Sequence, residues 1–331
     1  MQVPLIEARN VAKVFRGGRA GEGVTALKDC SLRIWEHVPS IISVAGESGS
    51  GKTTLARLLL GFAAPTSGEV LYNGRDLKNL TRQEKTAFRK EIQAIFQDPY
   101  ESYNPFYPVD RVFTTIIKKF HLAKQGVSTR DLMVEALETV GLRAGEILGK
   151  YPHQLSGGQR QRIMVARAFL LSPKLILADE PVSMVDASLR ATILAAMLQL
   201  KQERGVSIVY VTHDLSTAYQ ISDEIIILYR GITVERGNIH SVINSPLHPY
   251  TQLLVSSIPT PDPKRRWSGV VEMPPEEEMG QSLGIGCRFL RSCPRAMDIC
   301  RRQEVPLYSV EGDHEVACFL YQDENSRNQA G

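Results

Sequence analysis

A glycine-rich segment between an apolar run and a helical run is the feature that most constrains this 331-residue chain. The run Ile41–Ala45 has the length and composition of a buried strand, and a helical pattern extends from Thr53 to Gly61. Between them, Gly46–Thr53 fits the pattern G-x-x-x-x-G-K-[ST]. Because a strand before this pattern and a helix after it are the context that the motif requires, the segment predicts an α/β fold with a phosphate-binding loop.

Each residue type in this loop has a chemical reason. Glycine lets consecutive backbone N–H groups turn towards a phosphate, an approach that a side chain would block. Lys52 supplies positive charge to the phosphates, the Thr53 hydroxyl can bind Mg²⁺, and the N-terminus of the following helix attracts anions. The residues predicted to bind the nucleotide here are Gly46, Ser48, Gly49, Ser50, Gly51, Lys52, Thr53 and Thr54.

Two adjacent carboxylates follow a second apolar run, Leu175–Ala178. A carboxylate at the end of a buried strand is poorly solvated unless it holds a cation, so Asp179 is predicted to bind Mg²⁺. Glu180 comes next and can accept a proton from an attacking water or orient that water. The alternative is an ordinary turn before Pro181, but the phosphate loop in the same chain favours the catalytic interpretation.

The order of the apolar patterns predicts the layout of the rest of the chain. Alternating apolar and polar positions over residues 4–45 are typical of antiparallel strands, and residues 81–168 are predicted to be helical. A helix over about residues 188–203 separates the apolar runs 175–178 and 207–211. That order is a βαβ unit, so these two strands are predicted to be parallel.

Composition and charge exclude several classes of protein. A net charge of +3 is too small for a protein that coats nucleic acid. No apolar stretch approaches the roughly 18 residues that a membrane-spanning helix needs, and the N-terminus has no signal-peptide pattern. The chain is therefore expected to act in the cytosol and to associate with a membrane only through a partner.

A second phosphate-binding pattern, LSGGQ at Leu155–Gln159, precedes another helical run. Together with the phosphate loop, it makes the chain resemble the ABC transporter ATPases over residues 4–245. Because one nucleotide does not need two anion sites from one protomer, a head-to-tail dimer is expected. The resemblance implies that Ser156, Gly157, Gly158 and Gln159 close on the partner's ATP. It also implies a cassette with a mixed-sheet core, an antiparallel β subdomain and a helical subdomain at about residues 90–168.

The resemblance implies roles for further residues. Gln97 matches a glutamine that senses Mg²⁺ and faces the membrane partner, and His213 matches a histidine that contacts the γ-phosphate. Phe15 occupies the place of an aromatic residue that stacks on adenine, although an isolated phenylalanine fits a core position as well. Asp186 matches the residue expected to act across the dimer. Met184 and Val185 depart mildly from the family pattern, which is expected to alter packing rather than catalysis.

The composition of the chain changes after Ser245. Seven prolines between residues 246 and 275, followed by three glutamates, indicate an extended linker. The segment His248–Thr251 resembles the one that follows the cassette in the ATPases of oligopeptide, dipeptide and nickel importers. We therefore predict a cassette over residues 1–245 and a C-terminal extension over residues 246–331.

Four of the five cysteines lie in the C-terminal fifty residues, with five, six and seventeen residues between successive members: Cys287, Cys293, Cys300 and Cys318. Four thiolates can bind a [4Fe–4S] cluster or Zn²⁺, and free or disulfide-linked thiols are the remaining alternative. Resemblance to the same subfamily implies a [4Fe–4S] cluster that stabilises a small C-terminal domain. Cys30 stands alone and is predicted to be a small buried hydrophobe.

These features predict the ATP-hydrolysing subunit of an importer for di- or oligopeptides, or for a related solute such as nickel or an oligosaccharide. By resemblance, its partners are a second ATPase subunit, two transmembrane permeases and an extracytoplasmic solute-binding protein, and it works at the cytoplasmic face of the cell membrane. The subfamily favours a paralogue as the second ATPase.

Two alternatives remain at this point. One is a soluble ABC protein that acts on nucleic acid or ribosomes, but such proteins typically carry a long coiled-coil insertion or two cassettes. The other is a regulatory subunit whose partner performs the hydrolysis.

Overall fold

A computed structural model describes residues 3–16, 23–97, 103–123, 126–258 and 285–322. The predicted proline-rich linker lies mostly outside these residues. The described residues fall into two compact units. The first unit takes those within Met1–Val11, Ser31–Ile41 and Thr53–Val211, and the second takes those within Ala12–Cys30, Ile42–Lys52 and Thr212–Gly331.

The strands and helices alternate along much of the described chain. The strands are β1 (Ile6–Arg16), β2 (Gly23–Ile34), β3 (Ile41–Ala45), β4 (Ser67–Tyr72), β5 (Arg75–Asp76), β6 (Ile92–Ile95), β7 (Leu175–Asp179), β8 (Ser207–Thr212), β9 (Glu224–Tyr229), β10 (Ile232–Asn238), β11 (Tyr308–Glu311) and β12 (His314–Val316). The helices are α1 (Lys52–Leu59), α2 (Arg82–Glu91), α3 (Asp110–Lys119), α4 (Thr129–Thr139), α5 (Ala144–Ile147), α6 (Gly157–Phe169), α7 (Ala187–Arg204), α8 (Leu215–Ile221), α9 (Ile239–Asn244), α10 (Pro249–Ser256) and α11 (Ile299–Arg302).

The first unit contains the predicted βαβ arrangement. β7 pairs in parallel with β8, with Leu175 opposite Ser207, and α7 connects the two strands. All five residues of β7 are buried, so apolar side chains line both faces of this strand. α7 ends at Gly205, whose φ of 65° makes it a left-handed C-cap. The predicted strands and the helix between them are confirmed.

The prediction of helix over residues 81–168 needs one correction. The structure has helices α2 to α6 in this stretch, but β6 interrupts them and pairs in parallel with β7. All four residues of β6 are buried. Because the four residues Ile-Gln-Ala-Ile are too few to show a period that distinguishes helix from strand, only the pairing with β7 decides their conformation.

A separate four-stranded sheet has the order β2-β1-β4-β5, and its β4–β5 pair is antiparallel. Within the first unit, the buried carboxylate of Glu7 lies 2.9 Å from Arg9 and 2.7 Å from Arg33. Hydrogen bonds from Arg9 and Arg33 lower the pKa of Glu7 despite its burial.

The second unit contains a mixed sheet with the order β11-β12-β10-β9-β3. β3 pairs in parallel with β9, whereas β9–β10, β10–β12 and β12–β11 are antiparallel. Its core contains the fully buried Tyr250 of α10 and the nearly buried Phe289. The C-terminal segment that contains the four cysteines belongs to this unit, so a separate C-terminal domain stays a prediction.

Across the described ranges, no helix combines the length and the apolar character needed to cross a bilayer.

Candidate nucleotide-binding site

The phosphate loop lies between β3 and α1 and wraps around the ammonium group of Lys52. Lys52 Nζ donates to the carbonyl oxygens of Gly46 and Glu47, at 2.7 Å each. The N–H of Ser50 closes the turn on the Glu47 carbonyl at 3.1 Å. Lys52 is only 7% exposed. The loop therefore presents a fixed positive charge, which is what a polyphosphate requires.

Two glycines of the loop occupy positions that no other residue fits. A Cβ on Gly46 would lie 2.1 Å from the carbonyl oxygen of Leu228, and one on Gly51 would lie 2.5 Å from that of Ala26. Their φ angles of +146° and +105° also favour glycine. At Gly49, by contrast, a Cβ would meet no atom within 4 Å. Gly46 and Gly51 thus let the loop pack closely against the backbone at Leu228 and Ala26, whereas Gly49 borders open space.

The hydroxyl of Ser50 is an orphaned polar atom in this loop. Ser50 is 3% exposed, and its Oγ has no hydrogen-bond partner among the described residues. A buried hydroxyl without a partner costs free energy, and an anion in the loop would supply an acceptor. Thr53, the predicted Mg²⁺ ligand, is the second residue of α1, after Lys52, and is exposed.

In the first unit, the predicted catalytic residues Gln97 and Glu180 lie next to each other at the end of β7. Asp179 is the last residue of the strand and is 8% exposed. Glu180 follows with a φ of +46°, a left-handed conformation that is unusual for glutamate. The amide Nε2 of Gln97 donates to Glu180 Oε2 at 2.9 Å. The structure thus places Gln97 beside the predicted catalytic carboxylate.

The signature residues form the capped start of α6. Ser156 Oγ accepts from the N–H of Gln159 at 3.1 Å, and Gln159 Oε1 accepts from the N–H of Ser156 at 3.0 Å. This capping box satisfies two backbone donors and leaves the amides of Gly157 and Gly158 near the helix N-terminus, where anions are favoured. Asp186 is exposed and begins α7 without a side-chain capping bond.

Two residues that the sequence analysis missed anchor α6 within the first unit. Gln161 Nε2 donates to the carbonyl of Phe96, the residue before Gln97, at 3.2 Å. The hydroxyl of Tyr103 donates to the carbonyl of Arg160 at 2.8 Å. The signature helix and the Gln97 segment are therefore hydrogen-bonded to each other. Neither residue belongs to a sequence pattern that would have identified it.

The other two predicted nucleotide contacts lie in the second unit. His213 is exposed and lines a cavity of about 490 Å³ together with Gly46 and Glu47 of the phosphate loop. Burial raises the pKa of the Glu47 carboxyl, while Arg230 and Lys52 pull it down. Phe15 is 45% exposed, with Lys13 Nζ 5.2 Å from its ring centroid. An exposed ring suits stacking on a base better than a core role.

The backbone of the phosphate loop also contacts a residue for which the sequence analysis assigned no role. The N–H of Glu47 donates to the hydroxyl of Tyr250 at 3.0 Å. Tyr250 lies near the start of the C-terminal extension, and its sequence signal was the resemblance of His248–Thr251 to a subfamily segment.

The four C-terminal cysteines line one small cavity. It has a volume of about 10 Å³, and its walls also include His248 and Phe289. The N–H of Cys287 donates to the carbonyl of Cys300 at 2.8 Å. Burial raises the pKa of the Cys287 thiol to about 11 and also raises the pKa of Cys293 and Cys318.

This cavity matches a metal centre in its donors but not in its size. Four thiols around one point are the donor set of an iron–sulfur or zinc site. However, a cavity of about 10 Å³ holds at most one water. No group of three or more His, Cys, Asp or Glu side chains within the described ranges is arranged to hold a metal ion. The predicted metal site therefore stays a prediction. Cys30 is fully buried, as predicted.

Comparisons with known proteins agree on one class. A family model described as ABC transporter matches residues 27–183, and one described as oligopeptide/dipeptide transporter, C-terminal region, matches residues 234–300. The dipeptide transport ATP-binding protein of Escherichia coli is 38% identical over 336 residues, covering 98% of this chain and 97% of the relative. The oligopeptide transport ATP-binding protein of Salmonella typhimurium is 37% identical over 303 residues, covering 91% and 87%.

A solved structure gives the same result for the fold. A dimeric ATP-binding cassette in a post-hydrolysis state, bound to ADP and Pi, superposes with a TM-score of 0.63 at 31% identity. The match covers 71% of this chain and 98% of that cassette.

Proposed function

Since the chain belongs to the ABC transporter ATP-binding proteins of the oligopeptide and dipeptide type, we propose that it hydrolyses ATP to power the import of di- or oligopeptides. The observation that carries this proposal is the phosphate loop. It surrounds a buried lysine with backbone carbonyls and leaves the buried hydroxyl of Ser50 without a protein partner within the described chain. Both features fit a bound polyphosphate.

The chain's own residues account for the hydrolytic step. Lys52 binds the β- and γ-phosphates, and His213 contacts the γ-phosphate from the end of β8. Glu180 accepts a proton from the attacking water, whose oxygen then bonds to the γ-phosphorus while ADP leaves. Gln97 orients this carboxylate through its 2.9 Å hydrogen bond. Phe15 stacks on the adenine.

Three residues of the first unit fit Mg²⁺ as ligands. Thr53, Asp179 and Gln97 supply the hydroxyl, carboxylate and amide oxygens that this cation prefers. When bound, Mg²⁺ neutralises part of the phosphate charge. Asp179 supports this assignment because its carboxylate lies at the end of β7, directly before Glu180, and is 8% exposed.

A single chain supplies half of each composite site. Ser156, Gly157, Gly158 and Gln159 at the start of α6, with Asp186, close on the ATP of a second ATPase subunit, which we propose to be a paralogue. The dimeric state of the similar cassette supports such an arrangement. The remaining partners are two permeases and an extracytoplasmic solute-binding protein, so the chain works peripherally at the cytoplasmic face of the membrane.

The cysteine cavity is proposed to hold a [4Fe–4S] cluster through Cys287, Cys293, Cys300 and Cys318. The support is that all four thiols line the same cavity, and that Cys300 belongs to a small buried core against which Cys287 packs. Its walls must move outward to admit a cluster, and the cluster then stabilises the C-terminal region. Zinc is the alternative occupant of the same thiols.

The test of the proposed function is purification from native membranes. We expect the tagged full-length chain to co-purify with two permeases and a second ATPase, and the reconstituted complex to hydrolyse ATP faster when peptide and binding protein are added. Co-purification with ribosomes or nucleic acid instead of permeases would contradict the proposal.

A further inference from the structure

One side chain of the C-terminal extension reaches the phosphate loop, and no role has been assigned to it. The Tyr250 hydroxyl accepts the N–H of Glu47 at 3.0 Å, and Tyr250 is fully buried. We propose that Tyr250 is a positioning residue for ATP: it fixes the first peptide group of the phosphate loop and thereby sets nucleotide affinity. The inference rests on the proposed ATP binding and adds a determinant outside the loop itself.

The peptide group between Gly46 and Glu47 is held at both ends. Its carbonyl, on Gly46, accepts from Lys52 Nζ at 2.7 Å. Its N–H, on Glu47, donates to Tyr250. On the side of β9, a Cβ at Gly46 would lie 2.1 Å from the Leu228 carbonyl, so the loop has no space to shift there. Two side chains thus set the orientation of this peptide, and one of them is the phosphate-binding lysine.

These two contacts respond differently when a nucleotide binds. The ammonium of Lys52 has three donors, and two of them hold the Gly46 and Glu47 carbonyls. Each of these two donors that turns to a phosphate leaves a loop carbonyl with one partner fewer. The hydroxyl of Tyr250 keeps its contact, so it contributes more to the bound loop than to the empty one. Only such a difference between the two states changes affinity.

The hydroxyl is held in place by a rigid anchor at the start of α10. His248 Nδ1 accepts from the N–H of Tyr250 at 3.0 Å, and Pro249 occupies the first helical position. The N–H groups of Leu247 and His248 donate to the two carboxylate oxygens of Glu235, at 2.8 and 2.9 Å. Glu235 is fully buried in β10. The anchor therefore connects the loop to the central strands of the second unit.

The ring of Tyr250 is packed independently of its hydroxyl. Its centroid lies 4.5 Å from that of Tyr229 and 5.6 Å from that of Phe289. All three rings belong to the same core cluster as Ala45, the residue before the loop. A phenylalanine at position 250 keeps this packing, so Tyr250→Phe removes the hydrogen bond alone.

The experiment compares Tyr250→Phe with Tyr321→Phe as a matched control. The Tyr321 hydroxyl donates to the Leu247 carbonyl at 3.2 Å, so it contacts the anchor but not the loop. Binding of a fluorescent ATP analogue with Mg²⁺ is titrated on the full-length chain. We expect Tyr250→Phe to raise Kd about tenfold and Tyr321→Phe to change it by less than about twofold. In the assembled complex, Tyr250→Phe should raise KM for ATP with little change in kcat.

Unchanged ATP affinity in Tyr250→Phe overturns the positioning role. The role is also overturned if both variants lose the same amount of ATP affinity and their melting temperatures fall in parallel. If the wild-type chain itself binds no ATP, the proposed function fails instead. Hydrogen exchange of the wild-type Glu47 amide needs no variant. The inference requires that this amide be protected both with and without nucleotide, and rapid exchange in either state contradicts it.

Discussion

Glu180 shows how the fold prepares a single residue. Its φ of +46° is a conformation that costs a non-glycine residue about 1–3 kcal/mol unless the surroundings impose it. Here the N–H of Glu180 donates to the Val211 carbonyl at 2.9 Å, and the Ser183 hydroxyl donates to the Glu180 carbonyl at 3.0 Å. These bonds impose the conformation, and Gln97 then orients the carboxylate.

Replacing Glu180 by glutamine tests its role as the general base. Glutamine preserves the size of the side chain but accepts no proton, so ATP hydrolysis by the assembled complex should fall about 10²- to 10⁴-fold while ATP still binds. The matched control is Glu138→Gln on the exposed face of α4, which should hydrolyse ATP at the wild-type rate. Unchanged turnover in Glu180→Gln would mean that the partner subunit performs the hydrolysis.

Gly46 offers a second test at the residue scale. A methyl group there would overlap the Leu228 carbonyl, so Gly46→Ala should lower stability by about 1–3 kcal/mol and abolish ATP binding. Gly145→Ala is the control, because a Cβ at that helical position meets no atom within 4 Å. Thermal unfolding and nucleotide titration measure the two effects. Tight ATP binding by Gly46→Ala would show that the loop does not need this close approach.

At the scale of elements, three α-helices of the first unit begin with a capping box, and in α4 and α6 the capping residue is serine. Ser128 and Asp131 form a capping box at α4, and Ser156 and Gln159 form one at α6. Both serines are exposed. The two caps stabilise their helices in the same way, but only the cap of α6 belongs to the signature pattern. A comparison of the two serines can therefore separate the structural role of a helix cap from a role of Ser156 in ATP hydrolysis.

Ser156→Ala and Ser128→Ala make that separation. Each substitution removes one capping bond and should cost about 1 kcal/mol of stability. We expect only Ser156→Ala to reduce ATP hydrolysis by the assembled complex, because the partner's nucleotide would lose a hydroxyl contact. Chemical denaturation and steady-state turnover give the two readouts. Equal turnover losses in both variants would indicate that α6 contributes through stability alone.

At the scale of the whole molecule, the second unit contains both the phosphate loop and the cysteine cavity. The segment from His248 to Tyr250 is common to both. His248 lines the cavity, and the hydroxyl of Tyr250 contacts the loop. Phe289 lies 5.8 Å from His248 and 5.6 Å from Tyr250, measured between ring centroids. The C-terminal extension is thus part of the support of the nucleotide site.

The occupant of the cysteine cavity is measured by iron, sulfide and zinc assays on anaerobically purified full-length chain. We expect about four iron and four sulfide per chain. Cys287→Ser should lose both and lower the melting temperature. Cys30→Ser is the matched control, since Cys30 is equally a free thiol but fully buried elsewhere, and its iron content should match the wild type. One zinc per chain would show that zinc, not the proposed cluster, occupies the cavity. Absence of both iron and zinc would exclude a metal centre there.

Features that depend on neighbouring residues could be predicted from the amino-acid pattern. The strand–loop–helix around Lys52, the βαβ unit from β7 to β8 and the capped start of α6 lie where their patterns predict them. Local patterns suffice to locate these features because turn-forming glycines, hydrophobic periodicity and helix caps are properties of neighbouring residues. The same patterns carried the resemblance to ABC ATPases.

Only the tertiary structure decided the contacts between distant residues. Gln97 and Glu180 are 83 positions apart, and Glu47 and Tyr250 are 203 apart. β6 is a strand because it pairs with β7. The four cysteines are scattered along the sequence, and they line one cavity because the second unit packs around a core that contains Phe289. Such contacts depend on sheet register and side-chain packing, which no local pattern encodes.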